Sequence, residues 1–304
     1  MAEKISIEGF IDIHIHTAPA PFNRLGDTED VARWCAAAGM GGAVIKSHFE
    51  STVSKVHHGR RSIPDYPSFQ LMAGVALNRG VGGINPGAVE IALHQGAKMV
   101  WLPTFDSCAH IQFYGGAGSY GSFKSMSLGF RGGCSPRGNY TVFEPDGKTL
   151  SAEMKEIIDI ILAYDGVLST AHVSKAEVFA VAEYALSRGL KRVCVTHPEA
   201  PVPDIGVPAM VELAQQGVFM EFCAVNCFPM TPTYSLDLMK EAMEAVGPEM
   251  SIISSDSGQP WMPTPPEALR TFAQGLHEKG LSPDFIRRMG RDNPARLMGL
   301  IPAA

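Results

Sequence analysis

The sequence predicts a single α/β domain, a (β/α)8 TIM-like barrel with a long insertion after its fourth strand. Short apolar runs recur at eight places with helical patterns between them, and most of those runs are entered through a helix-ending glycine. The length, 304 residues, also suits one barrel, since barrels of this size routinely form a single core.

The strand candidates are Phe10 to His16, Gly42 to His48, Leu71 to Leu77, Ala97 to Thr104, Val167 to Val173, Arg192 to His197, Val218 to Ala224 and Ser251 to Asp256. The glycines stand in AAAGMGG, HQGAK, SRGLK and QQGVF, where a helix C-cap needs a left-handed residue before the next strand. Asp27 to Ala38, Pro86 to Gln95, Ser151 to Tyr164, Lys175 to Ser187 and Leu236 to Val246 have the apolar spacing of amphipathic helices. Eight such units with right-handed crossovers close into a barrel. The rhythm breaks once, over Phe105 to Lys148, a stretch rich in glycine, aromatic and polar residues. A loop of that length is usually functional or disordered, and its place after the fourth strand predicts a substrate lid over the C-terminal mouth, with a mobile insertion as the alternative. No repeat or second boundary interrupts residues 1–304, which read as one domain with 105–148 as the insertion.

The formal net charge is −6, and the basic residues are scattered, the densest pairs being Arg60-Arg61, Lys191-Arg192 and Arg287-Arg288. That distribution argues against nucleic acid or a membrane surface and leaves a small molecule as the expected partner, with self-association open. Cysteines 35, 108, 134, 194, 223 and 227 contain no CxxC pair and are expected to be reduced. The start MAEKISIEGFIDIHIH lacks the features of a signal peptide and no apolar stretch approaches membrane-spanning length, so a cytoplasmic location is expected. Met210, Met220, Met239, Met243 and Met289 fall at apolar positions and read as core.

The chemistry gathers at strand ends. In Phe10-Ile11-Asp12-Ile13-His14-Ile15-His16-Thr17, residues two apart share a face, so His14 and His16 point together toward the barrel mouth. Two imidazoles so placed suit a metal ion or a pair of structural histidines. LSTAHVS then ends the fifth strand with His172, RVCVTHPE the sixth with His197 and SIISSDSG the eighth with Asp256. Strands that repeatedly finish on an imidazole or a carboxylate are hard to explain by packing, because ligands in this fold come from several strand ends.

With HxH on strand one, His on five, His on six and Asp on eight, the chain resembles the amidohydrolase superfamily at His14, His16, His172, His197 and Asp256. The closing Asp292-Asn293-Pro294-Ala295-Arg296-Leu297-Met298-Gly299-Leu300 is also similar to the last helix of many members. The resemblance implies one or two divalent metal ions, zinc first and manganese or iron as alternatives, that polarise a carbonyl and activate water. It also implies that Asp256 binds metal and moves the proton. The implied reaction cleaves a C–N or C–O bond in a small amide, imide or lactone, cyclic substrates included.

One departure concerns the bridge. Binuclear members of that superfamily usually join their metals through a carboxylated lysine or a glutamate from strand four, but here that strand reads Lys98-Met99-Val100-Trp101-Leu102-Pro103-Thr104 with Lys98 near its start. Strand two ends Val44-Ile45-Lys46-Ser47-His48, with Lys46 and His48 on one face. A lysine inside a barrel needs neutralisation or a partner. Lys46 is therefore read as a carboxylated metal bridge, a clamp for a substrate carboxylate, or a salt-bridge partner of Asp12 or Glu221. His48 is read as ligand, general acid or oxyanion stabiliser. Without the bridge, a single ion held by His14, His16, His172 or His197 and Asp256 is the better expectation.

The opening is similar as well to the polymerase and histidinol phosphatase family, at Asp12, His14, His16, Thr17 and His48. Gly74-Val75-Ala76-Leu77-Asn78 lacks that family's bridging glutamate and Ser255-Asp256-Ser257-Gly258 its histidine. A metal-dependent phosphoesterase is the alternative function, followed by a non-hydrolytic decarboxylase or oxygenase, since barrel chemistry is set by loops. A scaffold without catalysis is the last alternative. His110 in the insertion is a candidate substrate contact or a surface histidine, and Arg131 a carboxylate clamp or a solvated loop residue. Glu199 orients a ligand or caps the next helix. His57, His58, His94 and His277 read as surface or structural.

Overall fold

The computed structural model describes residues 4–120, 139–229, 231 and 233–300. Its eight parallel strands are β1 (Ile11–His16), β2 (Gly42–Lys46), β3 (Gln70–Ala76), β4 (Ala97–Trp101), β5 (Val167–Ser169), β6 (Val193–Thr196), β7 (Phe219–Cys223) and β8 (Ser251–Ser254), paired in sequence order. The sheet curls until β8 meets β1. There the His16 N–H donates to the Ser257 carbonyl at 2.8 Å, and the Ser255 N–H donates to Asp12 Oδ1 at 3.1 Å. This is the predicted (β/α)8 barrel.

The surrounding helices are α1 (Thr28–Ala37), α2 (Val53–Gly59), α3 (Pro86–His94), α4 (Cys108–Tyr114), α5 (Ala152–Ala163), α6 (Lys175–Ser187), α7 (Val207–Gln215), α8 (Leu236–Val246), α9 (Pro265–Glu278), α10 (Pro283–Arg287) and α11 (Asn293–Met298). Capping boxes open α1, through Asp27 and Asp30, and α6, through Ser174 and Glu177. In α5, Met154, Ile157, Ile158 and Ile161 are buried, the stripe expected of a helix lying on a sheet. Of the helices that the sequence does not delimit, α4 and α10 begin at serine caps, Ser107 and Ser282, whereas α2, α7 and α9 do not. All three begin without a side-chain cap hydrogen bond, at Thr52, Gly206 and Thr264, so the usual start signal is missing. The five methionines read as core are buried. Among the described residues no helix is long and apolar enough to cross a membrane.

The insertion after β4 is more regular than its composition suggests. Ser107 caps α4 by accepting the His110 N–H, and the chain returns through bridges pairing Ser107 with Tyr140 and Phe143 with Leu150. Arg131 lies outside the described residues.

Two departures from the predicted strands shape the site. The β1–β2 register slips between Asp12 and Ile15. Before the slip Ile11 and Ile13 pack in the barrel interior with Val44, Met99 and Ile252, whereas after it Ile15 joins the outer core and His16 pairs in register with Lys46. A bulge of one residue thus turns His14 and His16 inward and leaves Asp12 on the helix side, near enough to Cys35 of α1 to raise its thiol further above the range that burial already sets. Asp12 Oδ1 accepts the His14 N–H at 3.1 Å, which holds the bulge, and the Ser255 N–H, which holds the closure.

Secondly, β2, β5, β6 and β8 end before the residues expected on their last positions: His48, His172, His197 and Asp256 all lie just beyond. His197 and Asp256 have φ of 32° and 48°, and Ala171, beside His172, has 48°. Non-glycine residues rarely adopt this region, and they persist there where the surroundings over-determine them.

Asp12→Ala leaves two buried amides without an acceptor and is expected to cost about 3 kcal/mol of stability, while Asp12→Asn, which keeps an oxygen in place, costs about 1 kcal/mol. Denaturant unfolding of both variants checks this, and equal losses would show that the bulge does not depend on that oxygen.

Candidate metal centre

The strand ends and the loops after them bring His14, His16, Lys46, His48, His172, His197 and Asp256 to the wall of one cleft, which encloses about 810 Å3 of free space, its open mouth included. That size suits a small molecule. Within it His14, His16 and Asp256 converge most tightly: one ligand atom from each lies within 4.8 Å of the others. Asp256 Oδ1 stands 3.3 Å from His14 Nε2 and 3.1 Å from His16 Nε2. His172 and His197 form a neighbouring pair with ring centroids 4.9 Å apart, and His197 lies 6.1 Å from His14.

Burial keeps these imidazoles neutral. It pushes His14 down to about 3 and His197 to about 4, and holds His16, His48 and His172 well below the usual histidine range. A neutral imidazole is the form that binds metal, with one nitrogen protonated and the other presenting its lone pair.

For two of the rings the hydrogen bonds fix which nitrogen that is. Glu221 Oε1, which also receives the Ser254 hydroxyl at 2.7 Å, accepts from His14 Nδ1 at 3.0 Å. The lone pair of His14 is therefore on Nε2, facing Asp256. For His172 the chain is longer. The Ser119 carbonyl can only accept, so His110 donates to it from Nε2 at 2.7 Å. Burial pushes His110 down to about 4, so the ring is neutral and its Nδ1 is an acceptor, 2.9 Å from His172 Nδ1. His172 consequently carries its proton on Nδ1 and its lone pair on Nε2. Oriented imidazoles of this kind are what metal sites require of the groups behind their ligands.

This corrects the reading of His110. It is not a surface residue: it is fully buried and bonded to the ring of His172. Ser107 at the start of α4 also donates from its hydroxyl to the His172 carbonyl at 2.6 Å, so the insertion fixes this histidine by ring and backbone together.

His48 has the opposite polarity. Asn78 Oδ1 accepts the Thr104 N–H at 2.9 Å, which directs the Asn78 amide group to Thr104 Oγ1 at 2.6 Å. The Thr104 hydroxyl is then left to donate to His48 Nδ1 at 2.9 Å, placing the His48 proton on Nε2. The ring stacks on His16 at 4.5 Å, and in this tautomer its Nε2 presents a proton rather than a lone pair.

Lys46 is 1% exposed, with Nζ 3.0 Å from His14 Nε2 and 5.3 Å above the Trp101 ring. Among the described residues no carboxylate comes within 4.0 Å of it, so the salt bridge to Asp12 or Glu221 does not form: Asp12 faces the helices, and Glu221 bonds His14 and Ser254. Burial lowers the Lys46 pKa, which favours the neutral, nucleophilic amine. Lys98 is on the surface, 3.3 Å from Asp165.

The donor set fits a divalent ion. His14 Nε2 and Asp256 Oδ1 are two acceptors facing each other at 3.3 Å, and a shared cation relieves that contact. A second group, His14, Glu221 and Cys223, is equally compact, but burial raises the Cys223 thiol well above its usual range and keeps it protonated. Glu199, which does not cap a helix, accepts from Asn226 at 2.7 Å, and burial pushes it up to about 7. The sequence reading weighed Glu221 only as a partner for Lys46. Its position two residues before the end of β7 was visible, but its contact with His14 crosses the barrel.

His110→Phe keeps the ring stacked on His172 but removes the acceptor, and is expected to weaken metal retention by about tenfold to a hundredfold. Titration against a competing chelator reads this, and unchanged retention would remove His110 from the role. Gly258→Ala places a methyl 2.1 Å from the His16 carbonyl oxygen at φ 132°. It is expected to cost about 3 kcal/mol or more and to release metal, as thermal unfolding and metal analysis would show.

Residues 9–221 match a protein family described as a family of unknown function (DUF6282). No curated protein matches the sequence. Among solved structures the fold is similar to an amidohydrolase from Pseudomonas aeruginosa, at TM-score 0.63 and 14% identity over 96% of this chain and 95% of that one. It is also similar to a zinc-bound amidohydrolase from Burkholderia multivorans, at 0.56 and 12% over 96% and 99%. An organophosphorus hydrolase variant from Deinococcus radiodurans aligns at 0.58 and 13% over 98% and 95%. Likeness at such identities is one of fold. The family match runs from β1 into β7, takes in His14, His16, Lys46, His48, His172 and His197, and stops short of Asp256; the chain belongs to this family of unknown function.

Proposed function

We propose that the protein is a metal-dependent hydrolase that adds water to a carbonyl carbon and breaks a C–N or C–O bond in a small amide, imide or lactone, cyclic substrates included. The observation that carries this reading is the convergence of His14, His16 and Asp256 within 4.8 Å on neutral imidazoles at the mouth of the barrel. These three would hold one ion. His172 and His197, with Lys46 as a carbamate, would hold a second. Imidazole and carboxylate ligands suit zinc first, with manganese or iron as alternatives, and the zinc-bound neighbour of similar fold supports that reading.

A bound ion supplies Lewis acidity and lowers the pKa of coordinated water. The rest falls to side chains. Asp256, 16% exposed in the cleft, takes the proton from the attacking water. It returns that proton to the leaving nitrogen or oxygen as the C–N or C–O bond breaks. His48, with its proton on Nε2, donates to the oxygen on which charge develops. A phosphoesterase reading of the opening strand is weakened because Asp12, which it would need in the site, faces the helices.

Elemental analysis of the purified protein is expected to find about one or two divalent ions per chain. Asp256→Asn is expected to keep much of the metal and lower turnover about 100-fold to 10,000-fold on whichever lactone or cyclic amide of a substrate panel the wild type cleaves. Absence of metal after reconstitution, or near-full activity of the variant, would overturn the assignment.

A further inference from the structure

We infer that Arg24 is the receptor for an anionic group on the substrate, so that the molecule hydrolysed carries a carboxylate or a phosphate. The inference deepens the hydrolase reading and rests on it for the word substrate, but not for the binding itself. Arg24 lies in the loop between β1 and α1 and lines the same cleft as His14, His16 and Asp256. Its Nε and Nη1 are shielded from solvent and have no hydrogen-bond partner among the described residues. No carboxylate among the described residues comes within 4.0 Å of the guanidinium, although Asp256 is close enough for its charge to be felt. Burial lowers the Arg24 pKa only to about 10, so the group is cationic at neutral pH.

Shielded guanidinium donors without acceptors are costly, and proteins keep them where a ligand completes the set. The alternative, a side chain parked against the protein for packing, is met in part by Phe22, whose ring lies 4.6 Å from Cζ. Stacking covers a face of the guanidinium and leaves its edge, where the N–H groups point, unanswered.

The loop is also held in place. The Leu25 N–H donates to the Gly258 carbonyl at 2.8 Å, and the Ala18 N–H to the Gly26 carbonyl at 2.9 Å. The first of these ties the residue after Arg24 to the segment that carries Asp256. The distance from anion receptor to proton carrier is therefore set by backbone, which is how a site selects a molecule with its charge at a given distance from the bond to be broken. Gln259, buried on the same segment, also presents an unpartnered Oε1 and lines the same cleft, a ready acceptor for an N–H of that molecule.

Calorimetric titration of the full chain with inorganic phosphate, succinate and the neutral succinamide tests this, first as purified and again after dialysis against a chelator. Wild type is expected to bind at least one of the two anions with or without metal and to ignore succinamide, and the preferred anion tells carboxylate from phosphate. Arg24→Gln is expected to lose about tenfold to a hundredfold in that affinity and Arg24→Lys less, at unchanged thermal stability and metal content. Equal anion binding by wild type and Arg24→Gln, or equal binding of succinate and succinamide, overturns the inference. Loss of anion binding in Arg24→Gln in a protein that holds no metal and hydrolyses nothing sinks the hydrolase reading alone. A working hydrolase indifferent to Arg24→Gln sinks only this one.

Discussion

The Asp12 carboxylate sits where the barrel closes, and a single oxygen performs two tasks there. By accepting the His14 N–H it holds the bulge that turns β1 over by one residue, and by accepting the Ser255 N–H it joins β1 to β8. In a strand of period two, a slip of one residue exchanges the faces completely. Without the slip Asp12 would share the inward face with His14 and His16, and Ile11 and Ile13 would leave the interior that they fill with Met99 and Ile252. The same interaction brings Asp256, the residue after Ser255, within 3.3 Å of His14 and 3.1 Å of His16. The polar cluster at the mouth and the apolar plug beneath it thus have a common cause.

What makes the cluster chemically coherent is the polarity of its hydrogen bonds. Histidines buried without charge would be inert packing if their lone pairs pointed anywhere. Here Glu221 and His110 each take the Nδ1 proton of a ring, and the Thr104 hydroxyl gives His48 the reverse tautomer. Acceptors and donors are thereby sorted around one cleft. The positive φ at His197 and Asp256 belongs to the same arrangement, since strain at a site is sustained by the rigid elements on either side. Lys46 adds an amine whose pKa burial lowers, at 3.0 Å from the lone pair of His14.

Much of this was legible in one dimension. The eight strands follow from apolar runs and helix-ending glycines, and the inward histidines from the HxH spacing, because period and composition are local properties. Five helices have no delimited pattern in the sequence: α2, α7 and α9 begin without a capping side chain, and α4 and α10 are only seven and five residues long. The burial of His110 is not legible, because a histidine in an irregular stretch looks exposed, whereas Ser107 caps a helix that carries it against His172. Arg24 passed unremarked for a similar reason. Nothing in Asn23-Arg24-Leu25 marks the arginine as shielded until the loop is seen bonded to Gly258.

By itself the sequence determined the barrel, its order of strands and the residue types that gather at their ends, since each depends on patterns spanning a few neighbours. Tertiary structure alone decided which way Asp12 faces, which nitrogen of His14 and His172 is free, and that, among the described residues, Lys46 has no carboxylate beside it and the Arg24 donors no acceptor. Those are outcomes of contacts between residues far apart in the chain. Their energies depend on burial and on hydrogen-bond geometry within a few tenths of an ångström, and neither is encoded by spacing.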